Sequence, residues 1–521
     1  MRHKLSRRRL FGLAAVAVGG AVNLSTSGCG VVSAGEPGTL LRSTIPIPEP
    51  YQIPLPIPPV LQPSRTDATT DYYEITQQPA VAEIIPGFRT PLWTYQGTFP
   101  GPTIVSRSGR RTVVKHVNKL PHPVVVHLHG GHTPQDSDGY PGDMILPDGG
   151  HTDHLAHMGM MPALPGIPVV GSREYVYPFE QRAATLWYHD HRMGFTGPSV
   201  WYGLAGFHLV QDDEEDRLPL PRGDRDIPLL ITDRAFDADG AMPYPSLHPD
   251  LHSPGVTPPY MNGVLGDVIL VNGAPSPITR VQRLRYRLRL LNASNARRYR
   301  FELDPQPPGG GGIVQIGSDG GLLDRPRAHD SLQLASAERA DVVIDFARYA
   351  PGTHVRLRNT LGTGRTTEVL AFDVSSHASV DDTMVPEHLS TMRLLDPASA
   401  AVTRDFLFQN RGAEDGWMIN GQPYDPARPL ATPRLGEVER WRFITDVHHP
   451  VHLHLDHFQV LARDGEEPGP YDHGWKDTLD LEPAQAAEVL VRFTDYPGRY
   501  MLHCHNLEHE DMAMMADYLV S

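Results

Sequence analysis

His503-Cys504-His505-Asn506-Leu507-Glu508-His509-Glu510-Asp511-Met512-Ala513-Met514 is the stretch whose reading decides the fold. The run before it, Arg499-Tyr500-Met501-Leu502, has the aromatic and apolar composition of a buried strand. If that strand continues through the motif, side chains alternate between faces. His503 and His505 then share one side and Cys504 takes the other. One short strand can hold two metal sites back to back, joined through its own backbone. His509 and Met514 stand close enough in sequence to return to the Cys504 side. Thiolate, imidazole and a weak thioether are the ligand set of a blue-copper electron-transfer centre. For this segment taken by itself, a buried thiol beside surface histidines is the plainer alternative.

The same parity recurs upstream, in His448-His449-Pro450-Val451-His452-Leu453-His454. His452 and His454 share a face, while His449 is an odd step away and set off by Pro450, which makes it the natural partner of Cys504. His127-Leu128-His129-Gly130 and Trp187-Tyr188-His189-Asp190-His191 are two further His-x-His pairs. With 27 His in 521 residues about one such pair is expected by chance, and four are present. Eight histidines are too many for one zinc, which takes about four ligands. They suit a cluster of several coppers, which accept imidazole readily.

These four motifs resemble the copper-binding signatures of the multicopper oxidases. The likeness extends to Leu55-Pro56-Ile57-Pro58, Gly97-Thr98-Phe99-Pro100-Gly101-Pro102-Thr103-Ile104, Asp136-Ser137-Asp138-Gly139-Tyr140-Pro141, Pro228-Leu229-Leu230-Ile231-Thr232-Asp233-Arg234, Asn292-Ala293-Ser294-Asn295 and Gly317-Ser318-Asp319-Gly320-Gly321-Leu322-Leu323. Together they are similar to the bacterial spore-coat laccase and bilirubin-oxidase branch. The resemblance implies an all-β chain of three cupredoxin-like Greek-key β-barrel domains, where pattern alone supports only an all-β sandwich or barrel. It implies four copper ions. His449, Cys504 and His509 would hold the type 1 copper with Met514 as axial ligand, and His127 and His452 the type 2 copper. His129, His189, His191, His454, His503 and His505 would hold the type 3 pair. One-electron oxidation of phenols, aminophenols or bilirubin-type pigments at the first site would feed reduction of O2 to water at the others. His509 would present its imidazole edge to the substrate as the electron entry port. Glu510 and Asp138 match acidic positions that the family places near its oxygen channels, where each would relay protons or serve as a structural hydrogen-bond acceptor.

The remaining sequence supplies the frame. Hydrophobic content of 40%, with 51 Pro and 48 Gly, favours turn-rich β architecture. The net charge of -15 disfavours nucleic acid and anionic membrane as partners. Ser6-Arg7-Arg8-Arg9-Leu10-Phe11, followed by a short apolar run, resembles a twin-arginine export signal, so an extracellular, cell-surface or periplasmic location is expected. Cys29 is either a lipid-anchor site or an ordinary residue of a discarded peptide, and Cys504 is the other of the 2 Cys, so no disulfide is expected. The domain reading is 1–44 signal and tether, 45–66 proline-rich strap, and barrels at 67–216, 217–376 and 377–521. A monomer without a transmembrane segment is expected, with a small reducing substrate and O2 as partners.

Ligand motifs from both ends of the chain place the copper cluster between the first and third barrels, with the middle barrel as a ligand-free spacer. The acidic run Asp212–Asp216 reads as a solvated linker. The alternating Arg283, Arg285, Arg287 and Arg289 read as a strand with one wet face, or else as an anion site. Residues 143–170 form a longer loop than expected, with His151, Asp153, His154, His157, Met158, Met160 and Met161. That loop is either a surface copper(I) site, which would favour cuprous oxidase or copper-tolerance activity, or a Gly/Pro-rich loop with incidental Met.

Overall fold

The computed structural model describes residues 37–149, 164–376, 380–412 and 416–521. The arginine motif, Cys29 and the histidine and methionine residues of 151–161 lie outside them. Nearly all regular structure is strand, gathered into three pairs of sheets, each pair drawn from one stretch of the chain. Strands between Arg65 and Gln211 form a five-stranded and a four-stranded sheet, those between Asp226 and Val374 a seven- and a five-stranded sheet, and those between Ala400 and Val520 a five- and a four-stranded sheet. Among the described residues no helix is long and apolar enough to cross a membrane.

The alternation that builds these sheets is clearest in Val438–Thr445, where Glu439, Trp441, Phe443 and Thr445 are buried and Arg440 and Arg442 face outward. Each sheet pair encloses its own apolar core. A smaller core joins the first and second barrels, where Trp187, Phe207 and Leu209 pack on Leu230, Leu291 and Ala293. Truncating Phe207 to Ala would cost about 3–5 kcal/mol.

The proline-rich strap lies along the body. Prolines cannot donate, so the intervening residues carry its hydrogen bonds. Leu55 donates to the Ile278 carbonyl in the second barrel and Leu61 to Thr103 in the first, both at 2.8 Å. The expected tether is not free up to residue 44, because Thr39–Leu41 already pairs in parallel with Val264–Gly266.

Two further expectations fail for one reason. Arg287 and Arg289 are buried, not on a wet face and not free to take an anion. Arg287 reaches Glu215 at 2.9 Å and Asp341 at 2.5 Å, and Arg289 reaches Asp226 at 2.8 Å. Glu215 belongs to the acidic run, which is a short helix Asp213–Asp216 capped by Asp212, solvated at Asp213 and Asp216 but buried at Glu215. Burial would raise the Glu215 carboxyl, but the two guanidinium groups prevail and hold it near 2. Each strip of charge was read as solvent-facing because its partner lies far away in sequence. Removing one member would leave an uncompensated buried charge, at a cost of about 3–5 kcal/mol.

The first and third barrels are clasped by His132, whose ring lies between Asp456 and Asp495. Burial alone would depress its pKa, yet the hydrogen bond to Asp456 and the two carboxylate charges lift it to about 9. Relative to an unfolded value of about 6.5, the clasp stabilises fully below that pH and is lost as pH rises through the folded value. Its contribution is on the order of 3 kcal/mol. The melting temperature of the wild type is expected to fall more steeply between about pH 7 and 10 than that of His132→Gln. Parallel pH profiles for the two proteins would contradict this.

Candidate metal centres

The strand Gly498–Cys504 carries the alternation through the motif. Its register against His449–Leu453 sets His503 opposite His452 and Cys504 opposite Val451. Cys504 therefore points into the apolar core of the third barrel, beside Phe408, Trp417 and Met514. His503 and His505 project the other way, into a cluster of imidazoles.

On the Cys504 side, the sulfur lies 3.4 Å from His449 Nδ1 and 3.5 Å from His509 Nδ1, and these two nitrogens are 3.2 Å apart. Asp446 Oδ1 holds His449 Nε2 at 3.1 Å, which turns the Nδ1 lone pair towards the sulfur. The Asn506 N–H donates to the sulfur at 3.4 Å. His509 comes from the short helix Leu507–Asp511. The chain then turns back, so that the Met514 carbonyl accepts from Cys504 N–H at 3.1 Å and the Met514 side chain is buried in the same core. The expected open imidazole edge is not found. His509 is 1% exposed, and the Trp417 ring stacks on it at a centroid distance of 3.7 Å. Sequence reading missed Trp417, which sits in an unremarked hairpin nearly a hundred residues upstream.

On the other side eight imidazoles converge, four from the first barrel and four from the third. They divide into His129, His189 and His505, then His191, His454 and His503, with His127 and His452 facing each other at 3.4 Å between Nε2 atoms. His503 Nε2 lies 3.3 Å from His191 Nε2 and 3.1 Å from His454 Nε2. Four of the outer nitrogens are given to carbonyls or a carboxylate. His127 Nδ1 donates to the Asp138 carbonyl at 2.5 Å and His452 Nδ1 to the Asp477 carbonyl at 2.9 Å. His189 Nδ1 donates to the Asp190 carbonyl at 2.8 Å, and His454 Nδ1 to Asp138 Oδ2 at 2.8 Å. An imidazole whose outer N–H is given away presents a lone pair inward.

Burial, reinforced by the neighbouring imidazoles, pushes His127, His189, His191, His452, His503 and His505 well below the usual range, so these rings are neutral. Acceptors then face acceptors. His129 Nδ1, His189 Nε2 and both nitrogens of His505 have no hydrogen-bond partner. Buried lone pairs without a donor cost free energy, and cations among them remove that cost. The residues therefore fit several coppers on the imidazole side and a single copper at the thiolate.

A second set of residues holds the ligands in place. Both acids expected near the cluster are there, Asp138 on the short helix Gln135–Asp138 and Glu510 on the helix of His509. Glu510 accepts from the Thr196 hydroxyl at 2.6 Å and lies 3.6 Å from His191 Nδ1 and 3.3 Å from His503 Nδ1. Burial pushes its carboxyl up to about 8. Asp477 was not foreseen. It accepts from His129 Nε2 at 3.0 Å and pairs with both terminal nitrogens of Arg339, at 2.7 and 2.6 Å. Arg339 belongs to the second barrel, so the barrel without imidazole ligands still positions one of them. Glu508, also unforeseen, accepts from Asn295, Tyr244 and the Val264 N–H, tying the His509 helix to the same barrel.

Family models described as multicopper oxidase match residues 78–156, 156–215 and 392–521. A laccase of Bacillus subtilis is 36% identical, over 88% of this chain and 96% of its own length. A bilirubin oxidase of Albifimbria verrucaria is 33% identical, over 90% and 81%. Among solved structures, a laccase from Pediococcus acidilactici superposes with a TM-score of 0.78 at 29% identity, covering 92% of this chain and 96% of that one. The multicopper oxidase McoA of Aquifex aeolicus gives 0.75 at 30%, covering 90% and 99%.

Cys504→Ser is expected to lose the blue absorption yet retain about three coppers per chain, read by metal analysis and visible spectroscopy. Retention of the blue band would remove Cys504 from the site. Stripping all copper is expected to lower the melting temperature, because the ions bind only the folded arrangement of two barrels.

Proposed function

The chain belongs to the multicopper oxidases, and on that premise we propose which of its residues carry the reaction. It is a laccase-like copper oxidoreductase with four copper ions, coupling one-electron oxidation of a small substrate to reduction of O2 to water. When bound, the coppers supply the redox chemistry, accepting electrons singly and delivering four to O2.

His449, Cys504 and His509 would hold the type 1 ion, with the Met514 thioether as a weaker ligand. His127 and His452 would hold the type 2 ion, and the two groups of three imidazoles would hold the type 3 pair. The observation that carries this reading is the alternation at His503-Cys504-His505, one strand that contributes to both sites from opposite faces. An electron leaving the thiolate has a covalent path of one residue in either direction.

Glu510 is the proton relay. Its carboxyl accepts from Thr196 and stands against the outer nitrogens of His191 and His503, within reach of a proton donor on one side and the cluster on the other. Asp138 fixes two rings at once, His454 through its carboxylate and His127 through its carbonyl, and its first role is to orient them. Phenols, aminophenols and bilirubin-type pigments are the reductants. The relatives named laccase and bilirubin oxidase support that class. The alternative, cuprous oxidase or copper-tolerance activity, rests on residues 151–161; a complete ligand set with a covalent bridge argues for turnover over metal storage, and the relatives named laccase and bilirubin oxidase favour organic donors. The arginine pair and apolar run support export through the twin-arginine route to an extracellular, cell-surface or periplasmic site, with Cys29 as the point of any lipid anchor. The enzyme acts as a monomer.

Oxygen uptake on adding a phenol to the copper-loaded enzyme is expected to exceed uptake on adding copper(I). The reverse order would favour the metal as substrate. Glu510→Gln is expected to keep the blue band and its reduction by phenol while slowing reoxidation by O2 about tenfold or more. Unchanged turnover across pH would remove Glu510 from the relay.

A further inference from the structure

None of the three strong type 1 ligands offers an edge to solvent. His449 and Cys504 are 0% exposed and His509 is 1% exposed. The outer nitrogen of His449 is taken by Asp446. One aromatic ring touches both imidazoles. Trp417 stacks on His509 at 3.7 Å and 29° between planes, and stands edge-on to His449 at 5.6 Å and 88°. It begins the short strand Trp417–Ile419 and faces Asn410 in the last pair before the hairpin turn. Asn410 is exposed, and Gly416 and Met418 on either side of Trp417 are half-buried. The ring is itself 3% exposed, in a strand whose neighbouring residues reach the surface, and it is in van der Waals contact with a ligand.

The identity of the side chain adds a second argument. Trp417 Nε1 is buried with no hydrogen-bond partner. A Phe or Leu would fill an apolar core without stranding a donor there. The indole is electron-rich, polarisable and aligned with the His509 ring.

We propose that electrons from the reducing substrate reach the type 1 site through the Trp417 indole, with His509 as the second member of the path instead of the port itself. The inference rests on the laccase-like reading and deepens it. The donors it suits are planar aromatic molecules that give up an electron without binding a metal ion. In each transfer the donor loses one electron, its phenolic proton leaves to solvent, and the cupric ion held by Cys504 is reduced to cuprous. No bond to the protein forms or breaks.

The test uses the copper-loaded full chain, with Trp417→Phe and Trp417→Leu beside the wild type. Under anaerobic conditions the bleaching of the blue band is followed after mixing with a phenol and, separately, with ferrocyanide. Trp417→Leu is expected to slow bleaching by both about tenfold or more, with the type 1 potential and the blue spectrum little changed, and Trp417→Phe is expected to recover most of the rate. Bleaching of Trp417→Leu at the wild-type rate would overturn the proposal, as would a loss fully accounted for by a shift in potential. A second readout needs no turnover. Copper binding to the copper-free protein is expected to quench tryptophan emission less in Trp417→Phe than in the wild type, the remaining 5 of the 6 Trp serving as the common background. Equal quenching would place the indole out of contact with the site and overturn the proposal. A wild type that lacks the blue band, or takes up no oxygen with phenol, would refute the laccase-like reading and not the path.

Discussion

Eight imidazoles crowd into the dry seam between two barrels, and this is the constraint on which the rest of the structure depends. Such an arrangement is repulsive in itself. Buried acceptors need donors, and the outer N–H groups of His127, His189, His452 and His454 have been turned away to a carbonyl or carboxylate. Protonating the rings would not help, since burial and mutual repulsion both oppose it. Cations are the remaining partners, so metal binding adds to the stability of the barrels' association. The clasp of His132 with Asp456 and Asp495 then supports the seam from outside the cluster.

The two metal regions are connected by the simplest property of a strand. Alternation puts Cys504 in an apolar core and its neighbours in the imidazole seam, a single residue apart. The chemistry of each side follows from its surroundings. Apolar packing around the sulfur keeps water from a soft ligand, while carbonyls and carboxylates around the imidazoles fix tautomers. Neither environment could occupy both faces of a strand unless the sheet lay between them.

That alternation was legible in the sequence because it is local. His-x-His spacing, a lone Cys between two His, and an odd-step His449 beside Pro450 can be read within a dozen residues. So could the strands themselves, as at Val438–Thr445. What escaped detection was set by partners distant in the chain. Arg287 and Arg289 alternate as a half-wet strand would, yet their polar face meets Glu215 and Asp341 from other strands and elements. Period two identifies which side chains share a face, but it cannot tell water from a buried carboxylate. Asp477 had no local signal, since its meaning lies in Arg339, 138 residues away. The helix under His509 left no signal, because five residues carry too little periodicity to register.

The second barrel shows how far the label of spacer falls short. It contributes no imidazole, and yet Arg339 fixes the Asp477 carboxylate that orients His129, while Asn295 holds Glu508 at the start of the His509 helix. Each contact is buried and charged or charge-assisted, so each is strongly distance-dependent and weakly screened. A displacement of this barrel by a fraction of an ångström would therefore be felt at both metal regions at once. Ligands drawn from two barrels would otherwise leave one hinge free between them. The third body removes it, and the geometry of both sites becomes a property of all three barrels together.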